Sequence, residues 1–111
     1  MSTITIEKSG GNVYADLGMA DAQEMLVKAK LASKIGDIIK RQNLTQQQAA
    51  ELLAMPQPKV SQMLRGRFRG ISEAKMLECL ARLGLDIDIV VKPARRRAVA
   101  GATGRVNVVF A

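Results

Sequence analysis

Residues 45–69 read TQQQAAELLAMPQPKVSQMLRGRFR, and this stretch decides the fold of the chain. Thr45 precedes Gln48 by three residues, a spacing typical of a capping box, which predicts a helix running to about Leu53. Proline fits the first turn of a helix, so Pro58 predicts a second helix soon after the first. The stretch therefore predicts two short helices joined by a tight turn, followed by a segment rich in arginine.

Two helices that cross at a steep angle must touch closely, and this constrains particular positions. Counting Gln46 as the first residue, the fifth position has to be small, and it is Ala50. Positions four, eight, ten, fifteen and eighteen have to be buried, and they hold Ala49, Leu53, Met55, Val60 and Met63. All these requirements are met together, which favours a helix-turn-helix, a motif that places its second helix in the major groove of DNA. The alternative is a helical hairpin in an ordinary bundle.

Polar residues occupy the positions between the buried ones on the second of these helices. Glutamine can pair with adenine in the major groove, and lysine can contact guanine or a phosphate. Gln46 begins the first helix, where a helix N-terminus can hold a phosphate. The arginines after the second helix are expected along the DNA backbone or in the minor groove. The candidate DNA-binding residues are Gln46, Gln57, Lys59, Ser61, Gln62, Arg65, Arg67 and Arg69. For each of them singly, the alternative is a solvated surface residue.

The residues before this stretch predict a long amphipathic helix. Asp21 is its expected N-cap, and the helix should end near Asn43. Aliphatic residues recur at three-and-four spacing, whereas the lysines, Lys28 among them, fall mostly on other faces. Gly36 inside the helix costs roughly 1 kcal/mol, which suggests close packing by a neighbour. Residues 1–20 are expected to form an extended arm or short strand followed by a loop.

Glycine and serine mark the later helix boundaries. The second helix of the central stretch is expected to take Gln57 as its cap and to stop at Gly66. Ser72 should cap a further helix that runs through about Leu83. Together these patterns predict four helices before residue 85.

The pattern then changes from helical to alternating. Residues 86–92, DIDIVVK, place Ile87, Ile89 and Val91 on one face, and residues 105–110 alternate again, which predicts two short strands. The strands could pair within one protomer or across two, and an isolated hairpin would be marginal. The predicted fold class is mainly α, a bundle of four or five helices with short C-terminal β-strands. Its expected parts are an N-terminal arm and loop at 1–20, a DNA-binding domain at 21–84, and strands with a basic tail at 85–111 that serve dimerisation.

Composition restricts the function further. The 111 residues carry a net charge of +7, and residues 57–82 hold six basic against two acidic side chains, as a phosphate-binding face requires. The chain has no histidine and one cysteine, Cys79, so we expect no enzyme, no metal site and no cofactor. Asp86 and Asp88 are expected on a solvent face or in salt bridges, and the GxxG at 101–104 is expected to be a turn. No apolar run approaches the roughly 18 residues of a membrane span, which favours a soluble cytoplasmic protein.

Four segments carry a resemblance to a known family: NVYADLGM (12–19), LTQQQAAELLAM (44–55), QPKVSQMLRGRFRGIS (57–72) and LARLGLDIDIVV (80–91). The chain resembles the XRE family of Cro/repressor-like helix-turn-helix domains, and more closely its HigA-type antitoxin branch, over about residues 12–92. The resemblance implies a lambda-repressor-like fold and a dimer that represses its own operon, often while neutralising a RelE/HigB-like toxin. It assigns the DNA-facing positions to Gln46, Gln57, Lys59, Ser61 and Gln62. One departure is Ala54, at a turn position where the family usually has glycine.

The sequence therefore leads to one main hypothesis, a sequence-specific and dimeric DNA-binding repressor that acts on a palindromic operator of double-stranded DNA. One alternative is a protein-interaction module whose main task is to inhibit a RelE/HigB-like toxin, and another is a stand-alone regulator without a toxin. Binding to single-stranded RNA is disfavoured, because only three residues are aromatic and single-stranded bases are usually held by stacking.

Overall fold

The computed structural model describes residues 13–94 and 104–111, with residues 13–20 as helical backbone. Four helices follow one another: α1 at Val13–Arg41, α2 at Gln46–Leu53, α3 at Gln57–Leu64 and α4 at Glu73–Arg82. The chain divides into two compact units, one of Lys28–Asp88 and one of Met1–Val27 with Ile89–Ala111. The predicted N-terminal arm before residue 13 and most of the GxxG turn fall outside the described residues. None of the four helices is long and apolar enough to cross a membrane.

The unit Lys28–Asp88 is built around an aliphatic core, as the scarcity of aromatic residues predicts. Leu31 and Ile35 of α1 are 1% and 0% exposed, and burying each such side chain stabilises the fold by about 1.5–3 kcal/mol. The other helices add Leu53, Val60, Met63, Met76, Cys79 and Leu80 to this core. A Cβ built on Gly36 would lie 3.4 Å from Leu64 Cδ2, so α1 packs closely on the end of α3, as the glycine suggests.

The predicted helix-turn-helix is confirmed in its packing. Ala49, Ala50, Leu53, Met55, Val60 and Met63, the six positions required to be small or buried, are all buried. The capping box at the start of α2 is also present. Gln48 N–H donates to Thr45 Oγ1 at 3.1 Å, and Thr45 N–H donates to Gln48 Oε1 at 2.9 Å. α2 packs against both α3 and α4.

All four helices end in the same way, with a residue in the left-handed conformation. These residues are Asn43, Ala54, Gly66 and Gly84, with φ of 56°, 56°, 86° and 101°. After α3, Gly66 N–H donates to the Met63 carbonyl at 3.1 Å and Arg67 N–H to the Gln62 carbonyl at 2.8 Å. This pair of bonds defines a Schellman motif, which supplies partners to the last carbonyls of a helix. The predicted stops near Asn43 and at Gly66 are confirmed. Ala54, at the turn position where the resembled family usually has glycine, adopts the left-handed conformation.

Two predicted helix starts are wrong. α1 begins at Val13 and not after Asp21, because residues 13–20 contain several strong helix formers and no proline that would end a helix. α3 begins at Gln57, which is its first helical residue and not its cap. Pro56 is the N-cap, since its carbonyl accepts the N–H groups of Lys59 and Val60 at 3.0 and 3.1 Å.

The predicted C-terminal β-strands are also wrong for this chain, since no strand occurs among the described residues. Apolar residues do recur at every second position in residues 86–92 and 105–110, which would give a strand one apolar face. A strand also needs a neighbouring strand whose backbone pairs with its own. Ile89, Val90 and Val91 remain 76%, 76% and 90% exposed. The fold class is therefore correct in its helices and incorrect in its strands.

Candidate nucleic-acid interface

α3 has one buried and one exposed face, and the exposed face carries the predicted DNA-binding residues. Val60 and Met63 are both 0% exposed, so they fix how the helix is oriented on its neighbours. Gln57, Lys59 and Gln62 are exposed, because they fall between the buried positions of a helix only two turns long. The helix therefore presents two amide groups and an ammonium group to solvent, while its opposite face is packed in the core.

The start of α2 provides a second polar region. Gln46 is the first residue of this helix and its side chain is exposed. The N–H groups of a first helical turn and the helix dipole favour an anion at this end. The capping box holds the turn in place through Thr45 and Gln48. This geometry suits a phosphate group, as the sequence pattern predicts for Gln46.

Ser61 and Arg65 interact with one another, although the sequence predicts both only as separate DNA-binding residues. Arg65 Nη2 donates to Ser61 Oγ at 2.8 Å, one helical turn apart on α3. Ser61 is half-buried and Arg65 is exposed. The hydroxyl group therefore orients the guanidinium group along α3. This bond uses one of the five guanidinium N–H donors, so the group can also donate to a further acceptor. The i, i+4 spacing of a serine and an arginine is the signal that could have predicted this contact.

The loop between α3 and α4 carries the remaining candidates, Arg67 and Arg69. Both side chains are exposed, whereas Phe68 and Ile71 are 8% and 5% exposed and anchor the loop in the core. Ile71 N–H donates to the Phe68 carbonyl at 2.9 Å. The loop thus turns its apolar side chains inward and its arginines outward, on a backbone already fixed at one end by the Schellman motif after α3.

Lys28 on α1 reaches this loop, a contact that the sequence pattern does not predict. Its side chain is 3% exposed, and its Nζ donates to the Arg69 carbonyl at 3.0 Å. The charge pattern of α1 predicted lysines on the outer faces, and for Lys28 that prediction is wrong. The available signal was its spacing, since Lys28 lies three residues before Leu31 and seven before Ile35, on the apolar stripe itself.

The other ionisable groups have structural explanations. Glu78 on α4 accepts from Arg82 Nε at 3.0 Å and lies 3.5 Å from Lys75 Nζ. The hydrogen bond from Arg82 and the positive charge of Lys75 hold the pKa of the Glu78 carboxyl group below its usual value. Cys79 is fully buried and its thiol donates to Met55 Sδ at 3.5 Å. Burial raises the pKa of this thiol, so its chemistry is that of a packing residue and not of a nucleophile.

The comparisons with known proteins agree with this geometry. A family model described as a helix-turn-helix domain matches residues 13–92, well over half of the chain. A solved structure assigned to the XRE family of transcriptional regulators is 34% identical, with a TM-score of 0.72, and the match covers 82% of this chain and 99% of that one. No curated protein matches the sequence. The chain therefore belongs to the helix-turn-helix domain family and is a DNA-binding transcriptional regulator of the XRE type.

Proposed function

We propose that this regulator is a sequence-specific, dimeric repressor that binds a palindromic operator, including that of its own operon. The observation that carries the proposal is the exposed polar face of α3 backed by Val60 and Met63, which are 0% exposed. A rigid helix with such a face can enter the major groove without a further change of fold.

Recognition of bases is assigned to α3. Gln57 and Gln62 can each donate to and accept from the edge of an adenine, and Lys59 can donate to guanine. A well-placed contact of this kind discriminates against a wrong base by about 1–3 kcal/mol. Ser61 contributes through Arg65, whose guanidinium it holds at 2.8 Å. Base contacts of this strength would distinguish an operator from the surrounding DNA.

Contacts to the DNA backbone are assigned to the residues that flank α3. Gln46 begins α2 beside helix N–H groups, and Arg67 and Arg69 extend from the loop after α3. Phosphate contacts set the position of a protein on the duplex and make its affinity depend on salt. These residues therefore provide affinity and register, whereas the α3 glutamines provide specificity.

Dimerisation is assigned to residues 86–92. Ile89, Val90 and Val91 are 76%, 76% and 90% exposed in the single chain, an unusual state for three consecutive aliphatic residues. Packing of this segment against the same segment of a second copy would cover the aliphatic side chains. Two copies of α3 would then face half-sites about 34 Å apart.

Gel-shift titration with upstream DNA and with random DNA of equal length tests the proposal. We expect tighter binding to upstream DNA at physiological salt, and equal affinities would refute sequence specificity. Gln57→Ala and Gln62→Ala should each weaken specific binding more than non-specific binding, with Gln23→Ala on α1 as the matched control. Arg67→Ala should instead reduce the slope of log affinity against log salt by about 0.9, since one phosphate contact is lost.

A second arginine, Arg82, provides a control for the loss of net charge in Arg67→Ala. Arg82→Ala removes the same charge as Arg67→Ala, but from the α4 pair in which Arg82 Nε lies 3.0 Å from Glu78. We expect the Arg82 variant to keep the salt slope of the unmodified protein. An equal change in both variants would show that net charge, and not a contact at Arg67, determines the slope.

A second function, inhibition of a RelE/HigB-like toxin, rests on the resemblance of residues 12–92 to HigA-type antitoxins. Exposed apolar residues outside the helix-turn-helix, Val109 and Phe110 with 80% and 41% exposure, offer a surface that such a partner could cover. Co-expression with the product of the neighbouring gene, followed by size-exclusion chromatography, tests this assignment. A stable complex is expected, and separate elution of the two proteins would leave a stand-alone regulator.

A further inference from the structure

Lys28 is the one charged side chain buried among the described residues of the chain, with 3% exposure. Removing an ammonium group from water is costly unless hydrogen bonds replace its hydration. An apolar residue at this position would continue the stripe formed by Leu31 and Ile35 without that cost. The presence of lysine here therefore calls for a role that an aliphatic side chain cannot perform.

The hydrogen bond made by the Lys28 ammonium group indicates this role. Lys28 Nζ donates to the Arg69 carbonyl at 3.0 Å, across 41 positions of sequence. The Arg69 side chain is exposed, and the lysine binds the backbone of this residue. A methionine or leucine could fill the same space but would leave that carbonyl without this donor, and the bond is partly buried.

The contact completes the fixation of the loop between α3 and α4. The start of the loop is held by the Schellman bonds, of which Arg67 N–H to the Gln62 carbonyl is 2.8 Å long. Its middle is held by Phe68, which is 8% exposed, and Lys28 holds the residue that follows. The two exposed arginines therefore extend from a backbone that is restrained on both sides.

We propose that Lys28 is a positioning residue for DNA binding, which fixes the loop backbone so that Arg67 and Arg69 meet the phosphates already ordered. The inference rests on the proposed function, because it assigns the arginines to the DNA backbone. An ordered loop loses less conformational freedom when it binds than a mobile one, and affinity gains by that difference. Lys28 itself is buried and contributes no direct contact to DNA.

The test compares Lys28→Met, which removes the donor but keeps an unbranched chain, with Lys28→Arg, which keeps a cationic donor. Cys79→Ala is the control, since it also perturbs the core but removes a hydrogen bond to Met55 and keeps the bond to the Arg69 carbonyl. Two quantities are measured: the backbone heteronuclear NOE of residues 67–70 without DNA, and the salt dependence of non-specific DNA affinity.

We expect Lys28→Met to lower the NOE values of residues 67–70 and to weaken non-specific DNA binding by about ten-fold. The salt slope should stay nearly unchanged, because Arg67 and Arg69 still reach the phosphates once the loop is ordered by binding. Lys28→Arg should restore most of the affinity, and Cys79→Ala should leave it unchanged. An unchanged NOE and affinity in a folded Lys28→Met variant would overturn the proposal and reduce Lys28 to a packing residue. An affinity reduced equally in Cys79→Ala would also overturn it.

The unmodified protein provides a measurement that does not depend on any variant. A buried and hydrogen-bonded ammonium group exchanges its protons slowly, so the Lys28 Nζ protons should be visible by nitrogen-edited NMR while those of exposed lysines are not. Fast exchange at Lys28 would overturn the proposal even if Lys28→Met failed to fold. If the unmodified protein bound no DNA, the proposed function would fail, whereas the NOE comparison would still decide whether Lys28 orders the loop.

Discussion

Ala54→Gly should stabilise this protein, although alanine-to-glycine changes usually destabilise helical proteins. Ala54 ends α2 with φ 56° and ψ 46°, in the left-handed region that L-residues with a Cβ avoid. That conformation costs alanine about 1–2 kcal/mol. Glycine removes this strain but gains freedom in the unfolded chain, which offsets about 0.4–1 kcal/mol. The expected net effect is an increase of about 0.5–1 kcal/mol in the free energy of unfolding.

Urea and thermal denaturation followed by circular dichroism measure this effect, and a rise in Tm of about 2–5 °C is expected. The bonds of the turn, from Ala54 N–H to the Glu51 carbonyl at 3.3 Å and from Met55 N–H to the Ala50 carbonyl at 3.0 Å, involve only the backbone and should persist. DNA affinity should therefore stay unchanged.

The matched control is Ala29→Gly, at an exposed position in the interior of α1. The same chemical change there should lower stability by about 0.8–1 kcal/mol. Ala54→Val, which places a β-branched residue in the left-handed region, should also destabilise the protein. The reasoning would be refuted if Ala54→Gly were destabilising, or if both glycine variants changed stability with the same sign.

Three further outcomes follow from the structure. Gly66→Ala should lower the free energy of unfolding by about 1 kcal/mol, because φ is 86° there and an added Cβ would meet no atom within 4 Å that could compensate or clash. Urea denaturation measures this change, and an unchanged stability would contradict the left-handed helix end. Cys79 should resist thiol reagents until the protein unfolds, and rapid labelling of the folded protein would contradict its burial. Cys79→Ser should lower the free energy of unfolding by about 1–3 kcal/mol, since a buried hydroxyl group would lack a good partner. Glu78→Gln should slightly lower stability at neutral pH, where the carboxylate is bonded to Arg82. Because the folded pKa of Glu78 is lowered, this contribution is present above its unfolded pKa and is lost as pH falls through the folded one. Urea denaturation of both proteins at neutral and acidic pH checks this, and a difference that persisted well below the usual carboxyl range would contradict it.

The helix-turn-helix could be predicted because its constraints are local and dense. Within 25 residues, the steep helix crossing requires small or apolar residues at fixed positions, and Ala50, Val60 and Met63 could be identified from the sequence without knowledge of the rest of the chain. The turn at Ala54 could also be predicted from the motif. Features that depend only on residues close in sequence could therefore be predicted.

The errors arose where a residue's environment comes from elsewhere in the chain or from outside it. The charge of Lys28 predicts a surface residue, whereas its side chain is buried and its ammonium group donates to the Arg69 carbonyl, 41 residues away. The start of α1 lies before the expected cap at Asp21, because a capping residue does not prevent a helix from continuing through it. The alternation in residues 86–92 is consistent with a strand, but a strand requires a partner that a single sequence does not specify.

The short length of α3 limits how much DNA sequence one copy can read. Its 8 residues span about 12 Å at 1.5 Å per residue, the length of roughly four base pairs. Two copies would then specify about eight base pairs, one sequence in about 65,000, whereas a genome offers about 10⁶ or more sites. An operator read by α3 alone would recur many times by chance. If the protein binds as the proposed dimer, selectivity for one locus requires discrimination beyond the two α3 helices. It would come from the shape of the minor groove near the loop arginines or from the spacing between half-sites.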